Sequence, residues 1–320
     1  MITGFPGTPV YIWGRLFSAS KVNRVNLETH LSEHDEDVKQ VILRVGEAAK
    51  TISKGFAAKR GVSGSSNVYG ERQAVMDVWA DELIISELRN SGLVRCLASE
   101  EQPGVLTFEG SASDLGVTID PLDGSSLIGV NLTVGTIVGI HRGGVLCPGE
   151  RMLGAAYVLY GPLTTLTYCL RDGVHEFVLN HEGEFTLQEE TVTVRGGKIY
   201  APGALRRDWL PAHKAFIEGL EAEGYKLRYS GSFVADVHQI LHRGGVYTYP
   251  AYAGGEGGKL RLLFEAAPMG FIVSQAGGAA SDGRRDLLSI KPEAVSQRTP
   301  VYIGGKREIK RIEDMAKLEP

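Results

Sequence analysis

The chain has 320 residues, a formal net charge of −4, 43% hydrophobic residues and 22% charged residues. That is enough apolar material for two domains or one large one, and the nearly balanced charge excludes a general nucleic-acid binder or a binder of acidic membranes. Three cysteines without CxxC spacing, Cys96, Cys147 and Cys169, argue against a disulfide framework or a zinc site and for a reducing compartment.

The first 30 residues resist assignment. Asp35 to Phe56 is expected to be helical, with Val38, Val41, Ile42, Val45, Ala49 and Ile52 on one face. Lys59 to Gly70 is a basic, Gly/Ser-rich connector that suits a mobile loop or a plain linker equally. A second helix is expected from about Gln73 to Asn90, ended by Asn90-Ser91-Gly92. Asp77 falls in its first turn, where an isolated Asp is usually solvated, and Asp81 lies one turn on. Val94 to Ala98 reads as a strand followed at once by Ser99-Glu100-Glu101, and paired acids there are costly unless solvated or bound to a cation.

Leu115 to Ile119 is a further short strand leading into Asp120-Pro121-Leu122-Asp123-Gly124-Ser125-Ser126. The expectation is a tight turn, with Pro121 fixing one angle and Gly124 permitting another. Ser125 and Ser126 can begin a helix whose free N–H groups favour an anion. One short segment thus offers hard oxygen ligands beside a phosphate cradle.

Residues 134–193 are strand-rich, with strands expected at Thr133–His141, Tyr157–Tyr160, Thr164–Leu170, Val174–Leu179 and Thr191–Val194. Helix and strand then alternate: Trp209–Glu223 and Val234–His242 helical, Val246–Pro250 a strand, Arg261–Ala276 a helix kinked or delayed by Pro268, Val301–Ile303 a strand and Lys306–Leu318 a closing helix. A soft boundary near 196–205 divides the chain into residues 1–200, carrying the connector and most acids, and residues 201–320. No run reaches transmembrane length and no leader pattern opens the chain, so a cytoplasmic protein without a membrane partner is expected.

The acids Asp77, Glu100, Glu101, Asp120, Asp123 and Glu265 have no neighbouring His or Cys in their motifs, a donor chemistry that selects magnesium or manganese. Two or more such ions, about 3.5–4 Å apart, could hold a phosphate and activate a water. The positive groups come later: Arg228 with Tyr229, then Lys259 and Arg261, which alternate and share a face if extended. If Arg261 and Glu265 are both helical, a plain i, i+4 salt bridge is an equally good reading. Gly254 to Lys259 imitates a phosphate loop but lacks the spacing and the Ser/Thr. His238 reads as a structural partner of its helix rather than a base.

These motifs, in this order, resemble the class I fructose-1,6-bisphosphatase and sedoheptulose-1,7-bisphosphatase family over roughly residues 35–318. The resemblance rests on Asn67-Val-Tyr-Gly-Glu71 with Asp77, on Ser99-Glu-Glu101, and on Asp120-Pro-Leu-Asp-Gly-Ser-Ser126. It rests also on Arg228-Tyr-Ser-Gly-Ser-Phe-Val-Ala-Asp-Val-His238 and Lys259-Leu-Arg-Leu-Leu-Phe-Glu265. It implies an α/β fold, a layered α-β-α-β-α sandwich with mixed sheets, and a magnesium-dependent (or manganese-dependent) phosphatase that removes a sugar 1-phosphate with a metal-activated water.

By this resemblance Asp77, Glu101 and Arg261 are catalytic. Glu100, Glu101, Asp120, Leu122, Asp123 and Glu265 hold the metals. Asp123, Gly124, Ser125 and Ser126 meet the 1-phosphate with Arg261, and Arg206, Arg228, Tyr229, Tyr249 and Lys259 meet the sugar and distal phosphate. A homodimer or homotetramer is implied.

Two departures bear on the sugar. Leu127 stands where Asn is usual, and Ala201-Pro-Gly-Ala-Leu-Arg206 replaces a segment that helps bind the 6-phosphate, so the plant-type sedoheptulose enzymes resemble the chain better here. A third bears on control: the segments matching the family's allosteric AMP site read Asp35-Glu-Asp-Val-Lys39 and Asp114-Leu115, whose acids would repel a nucleotide phosphate. The nearest alternative is an inositol-monophosphatase-like enzyme. A catalytically silent sugar-phosphate sensor is a more distant one, disfavoured by the intact acid set.

Overall fold

A computed structural model describes residues 25–57, 62–66 and 72–317. The Asn67–Glu71 motif and most of the basic connector lie outside the described residues. Within that region β1 (Val62–Ser66) and β2 (Arg72–Ala74) pair as an antiparallel ribbon.

Helix α2 (Glu36–Gly55) follows a short α1 (Leu27–His30) and begins where Asp35 accepts from the Asp37 and Val38 amides at 3.1 and 3.2 Å. The carboxylate satisfies N–H groups that the first helical turn leaves without partners. Its expected apolar face is buried, as is the stripe Met76, Ala80, Ile84 and Leu88 of α3 (Val75–Asn90). Gln73 and Ala74, expected to open this helix, belong to strand β2 instead.

The two helices cover one face of an eight-stranded sheet. Its strands are β3 (Val94–Ser99), β4 (Val105–Thr107), β5 (Leu115–Asp123), β6 (Val134–Arg142), β7 (Gly154–Tyr160), β8 (Thr164–Cys169), β9 (Val174–Leu179) and β10 (Phe185–Glu189). They lie in the order β10-β9-β8-β7-β6-β5-β3-β4, antiparallel except for the β3–β5 pair.

A second sheet of β11 (Ile199–Pro202), β12 (Lys226–Leu227), β13 (Val246–Tyr249), β15 (Ala279–Ser281) and β17 (Val301–Gly304) has the order β12-β11-β13-β17-β15, with β11 parallel to both of its neighbours. Between the sheets lie α5 (Phe233–Arg243) and α6 (Ala267–Gln275), and beyond the second sheet lie α4 (Pro211–Ala222) and α7 (Lys306–Ala316). A small ribbon of β14 (Leu260–Arg261) and β16 (Arg298–Thr299) leads into α6.

Alternation of side chains builds the layers. Val138 and Val158 face α2 and α3, while their neighbours Ile137 and Tyr157 face α5 and α6. In the second sheet Tyr247 and Ile303 join that same middle core, and Val246 and Tyr302 face α4 and α7. The result is the expected α-β-α-β-α sandwich with mixed sheets. Gly135 lets α5 come close to β6, because a Cβ there would lie 2.3 Å from the Val158 carbonyl oxygen and 2.7 Å from Val234 Cγ1.

Two local expectations of secondary structure change. Thr191–Val194 is not a strand: its Val192 and Val194 amides donate to Val174 and Ala276, one contact to each half of the molecule, so it is a strap of irregular chain. The division drawn at residue 200 falls inside β11, and the irregular chain ends just before it. The helix expected from Arg261 opens as a π-turn over Leu262–Ala266, closed by the Ala267 amide donating to the Leu262 carbonyl, and becomes α-helical only at Ala267. Pro268 explains the delay: it has no N–H to give, and its ring clashes with the carbonyl four residues back in a regular helix.

Candidate active site

The Asp120–Asp123 segment is not the expected tight turn. Strand β5 runs through it to Asp123, and its register against β6 shifts between Asp120, opposite Ile137, and Asp123, opposite Gly135. A bulge of this kind bends the strand and re-aims side chains. The Asp120 carboxylate accepts from the Leu122 amide at 3.0 Å, and the Pro121 carbonyl accepts from the Thr136 hydroxyl at 2.8 Å. Gly124 follows at φ 78°, in the left-handed region, and a 3-10 turn runs from Ser125 to Val130. The expected helix start after Gly124 is therefore present, as a tighter helix.

Asp123 is held from the opposite layer. Its Oδ2 accepts from the Ser232 hydroxyl and the Val234 amide, both at 2.9 Å, at the start of α5. Ser232 also caps that helix through the Ala235 amide. Gly124 leaves room for it, since a Cβ there would sit 3.0 Å from Ser232 Cβ.

Glu265 enters from the π-turn and accepts from the Arg261 amide at 2.6 Å. Arg261 is thus extended rather than helical. Its guanidinium lies against Glu100, Nε to Oε1 at 3.3 Å, and its charge also acts on Glu265.

Asp120, Asp123 and Glu265 can each offer an oxygen within 4.8 Å of the other two, and all three are buried. Burial pushes the Asp120 carboxyl well up, with the charges of Glu100, Asp123 and Glu265 adding to the effect. Burial raises Glu265 likewise, helped by Glu100 and Asp123. Asp123 is pushed up to about 6 by burial, against the lowering effect of the Val234 and Ser232 hydrogen bonds and of Lys259. Mutual repulsion among buried carboxylates is the condition that a divalent cation relieves. The donor set is oxygen only, so the residues fit magnesium or manganese.

The other predicted residues fall into two groups. Asp77 is buried in the first turn of α3, which packs on β5, so it is not the solvated helix-start Asp of the isolated motif. Glu100 and Glu101 follow β3 directly, and Leu122 is buried within the bulge. Lys259 lies 5.6 Å from the centre of the Tyr249 ring, and its charge acts on Asp123. Tyr229 is pushed up to about 12 by burial, with Tyr249, Asp236 and Asp123 contributing, which places it in the same neighbourhood.

Arg228 and Arg206 differ. The Arg228 guanidinium is exposed and donates to the Leu227 carbonyl at 3.0 Å. Arg206 pairs with Glu218 at 3.2 Å and Glu221 at 3.9 Å, both on α4, and stacks near Trp209. The Gly254–Lys259 imitation of a phosphate loop leads into β14 rather than directly into a helix.

Sequence reasoning missed two residues. Asp81 is buried and accepts from the Ser99 hydroxyl and the Gln102 side-chain amide, while Ser99 Oγ accepts from the Glu101 amide at 3.2 Å. It therefore braces the turn that carries Glu100 and Glu101. Ser232 caps α5, and its link to Asp123 spans 109 positions and left no local signal.

The profile of the fructose-1-6-bisphosphatase N-terminal domain matches residues 20–190, and that of the C-terminal domain matches residues 194–317. A class 1 fructose-1,6-bisphosphatase of Methanocorpusculum labreanum is 48% identical over 303 residues, covering 93% of this chain and 94% of that one. One from Geobacter sulfurreducens is 44% identical over 293 residues, covering 89% and 94%. The crystal structure of Leishmania major fructose-1,6-bisphosphatase in holo form superposes with a TM-score of 0.88 at 31% identity, covering 92% of this chain and 99% of that one. With both domain profiles matched in order and the carboxylates gathered at one bulge, the chain belongs to the fructose-1,6-bisphosphatase family.

Proposed function

We propose that this sugar-bisphosphate phosphatase removes the 1-phosphate of fructose 1,6-bisphosphate, in gluconeogenesis or in pentose-phosphate regeneration. The observation that carries the reading is the set of buried carboxylates, Asp120, Asp123 and Glu265, gathered beside the Arg261–Glu100 pair. Glu100, Glu101, Asp120, Asp123, Glu265 and the Leu122 backbone would hold two or more magnesium (or manganese) ions. Such ions, when bound, neutralise phosphate charge and lower the pKa of water.

The protein's own groups do the rest. Glu101 and Asp77 orient the attacking water and take its proton. Arg261 stabilises charge on the transferring phosphoryl group, and the free N–H groups at Gly124, Ser125 and Ser126 hold its oxygens. Lys259, Tyr229, Tyr249 and Arg228 clamp the sugar and distal phosphate, a clamp that a monophosphate would not need. Arg206 joins them only by leaving Glu218 and Glu221.

A second reading, dual action on sedoheptulose 1,7-bisphosphate, is favoured by Leu127, which lies beside Gly231 in the Arg228 segment. Phosphate release from the two bisphosphates, measured side by side with magnesium, tests both readings. Release from neither would reject them, and a strong preference for one would name the sugar.

The division into an N-terminal unit that supplies most acids and a C-terminal unit that supplies the distal clamp is part of this proposal, as are a cytoplasmic location and a homodimer or homotetramer. Sedimentation would test the oligomeric state. Among the described residues no helix is long and apolar enough to cross a membrane.

A further inference from the structure

Away from the carboxylate site, His238 and His242 lie one turn apart on α5, with ring centres 4.5 Å from each other. Glu176 of β9 reaches them from the eight-stranded sheet. Its Oε2 is 2.9 Å from His242 Nε2 and 3.8 Å from His238 Nδ1. Each of the three residues offers a ligand atom within 4.8 Å of the other two. Glu176 is buried, and both rings are half-buried with an edge to solvent.

We propose that Glu176, His238 and His242 form a second metal site, for a divalent transition metal of the zinc class. Two imidazoles and one carboxylate are a borderline-soft donor set that takes zinc, cobalt or nickel in preference to magnesium. Around a tetrahedral zinc, with bonds of about 2.0–2.1 Å, donor atoms stand about 3.3 Å apart. The separations of 2.9 and 3.8 Å from Glu176 Oε2 to the two rings straddle that value. The solvent-facing edge leaves a fourth position for water.

A simple ion pair accounts for less of the arrangement. One carboxylate makes one close pair, here with His242, yet a second imidazole, His238, stands at the same oxygen.

The outer contacts also fit. Glu189 Oε2 lies 3.8 Å from His242 Nδ1, the ring nitrogen turned away from Glu176, and the Tyr157 hydroxyl, 2.8 Å from His238 Nδ1, would yield that nitrogen to the metal. Glu189 is itself fixed by Arg195 at 3.2 Å, and the Thr167 hydroxyl donates to Glu176 at 3.5 Å. Groups of this kind orient ligating histidines and carboxylates. A bound metal would tie β9 to the far end of the helix whose first turn holds Asp123.

The test is zinc binding by the full chain, freed of transition metals and saturated with magnesium so that the carboxylate site is occupied. Wild type, His242→Leu and the double variant His238→Ala/His242→Leu are compared by competition with a chromophoric chelator. Cobalt is then substituted and its visible absorption recorded. The expected result is one zinc per wild-type chain, bound on the order of 100-fold more weakly by the double variant. The wild-type cobalt form should show the intense visible bands of a four-coordinate site, absent from the variants. Magnesium-dependent phosphate release reports that each variant is folded. If the double variant fails to fold, His242→Leu and Glu176→Gln carry the comparison. Equal zinc affinity in wild type and variants, or no zinc retained by wild type, overturns the site.

Discussion

Asp123 and Ser232, 109 positions apart, are joined by a hydrogen bond of 2.9 Å between the eight-stranded sheet and the first turn of α5. The Val234 amide reaches the same oxygen, so the orientation of this carboxylate depends on the helix as well as on its own strand. Replacing Ser232 by Ala removes one donor to a charged acceptor, a loss of about 1.5–3 kcal/mol. The expected outcome is a lower melting temperature and a lower kcat with little change in KM, and Ser232→Thr should recover most of both. Wild-type kcat in Ser232→Ala would show that the anchor is dispensable.

The buried carboxylates tie stability to cation and pH. Asp120 and Glu265 are raised by burial and by their neighbours' charges, and Asp123 is raised by burial to about 6. A carboxyl whose folded pKa exceeds its unfolded value costs stability as pH rises past the unfolded value, about 4. Cation-free protein should therefore weaken from about pH 4 upward, through pH 6 and beyond. Magnesium, which binds the ionised form, should restore the loss. Calorimetry with and without magnesium should give a larger rise in melting temperature at pH 8 than at pH 5.5. Equal shifts at the two pH values would show that these carboxyls are not the ones that respond.

Asp81 supports the Ser99–Gln102 turn from beneath, through the Ser99 hydroxyl and the Gln102 side chain. Asp81→Ala leaves the buried Ser99 hydroxyl and the half-buried Gln102 amide without their acceptor and frees the Glu100–Glu101 segment. The expected effect is a fall in kcat of at least about tenfold, equivalent to about 1.4 kcal/mol, and a weaker apparent affinity for magnesium. Asp81→Asn, which keeps one acceptor oxygen, should fall between. Unchanged magnesium dependence in Asp81→Ala would assign the residue to stability alone.

Arg142 bears on nucleotide control. Its guanidinium lies 2.9 Å from Asp114 and 3.9 Å from Asp35, the acids that occupy the segments resembling an AMP site. Asp35 is also the cap of α2. An incoming nucleotide phosphate would meet two carboxylates and a cation already engaged. AMP titrated into the assay up to millimolar concentration should leave phosphate release unchanged, and potent inhibition would reject this reading.

The sequence was most informative where local chemistry decides structure. Asp35 caps α2, the apolar period of Val38 to Ile52 marks its buried face, and Pro268 delays a helix as its missing N–H demands. It was least informative where distant chain decides. Nothing within Asp120-Pro-Leu-Asp-Gly distinguishes a free turn from a bulged strand end, because the difference is made by pairing with Ile137 and Gly135. Asp77 sits at a helix start, where acids are commonly solvated, and only the packing of α3 on β5 buries it. Thr191–Val194 has a strand's composition but contacts one partner in each half, so no ladder forms.

The π-turn at Leu262–Ala266 carries a further consequence. A π-turn holds one more residue than an α-turn, and each residue in an α-helix advances about 100° around the axis. Deleting one residue from this turn would rotate the chain before it by about 100° relative to α6 and swing Glu265 away from Asp120 and Asp123. The apolar core around α6 would keep much of its register with the two sheets. A single-codon deletion could thus erase the third carboxylate while preserving the sandwich, yielding a folded protein without turnover. The inserted residue is the place to look when sorting active members of this family from inert ones.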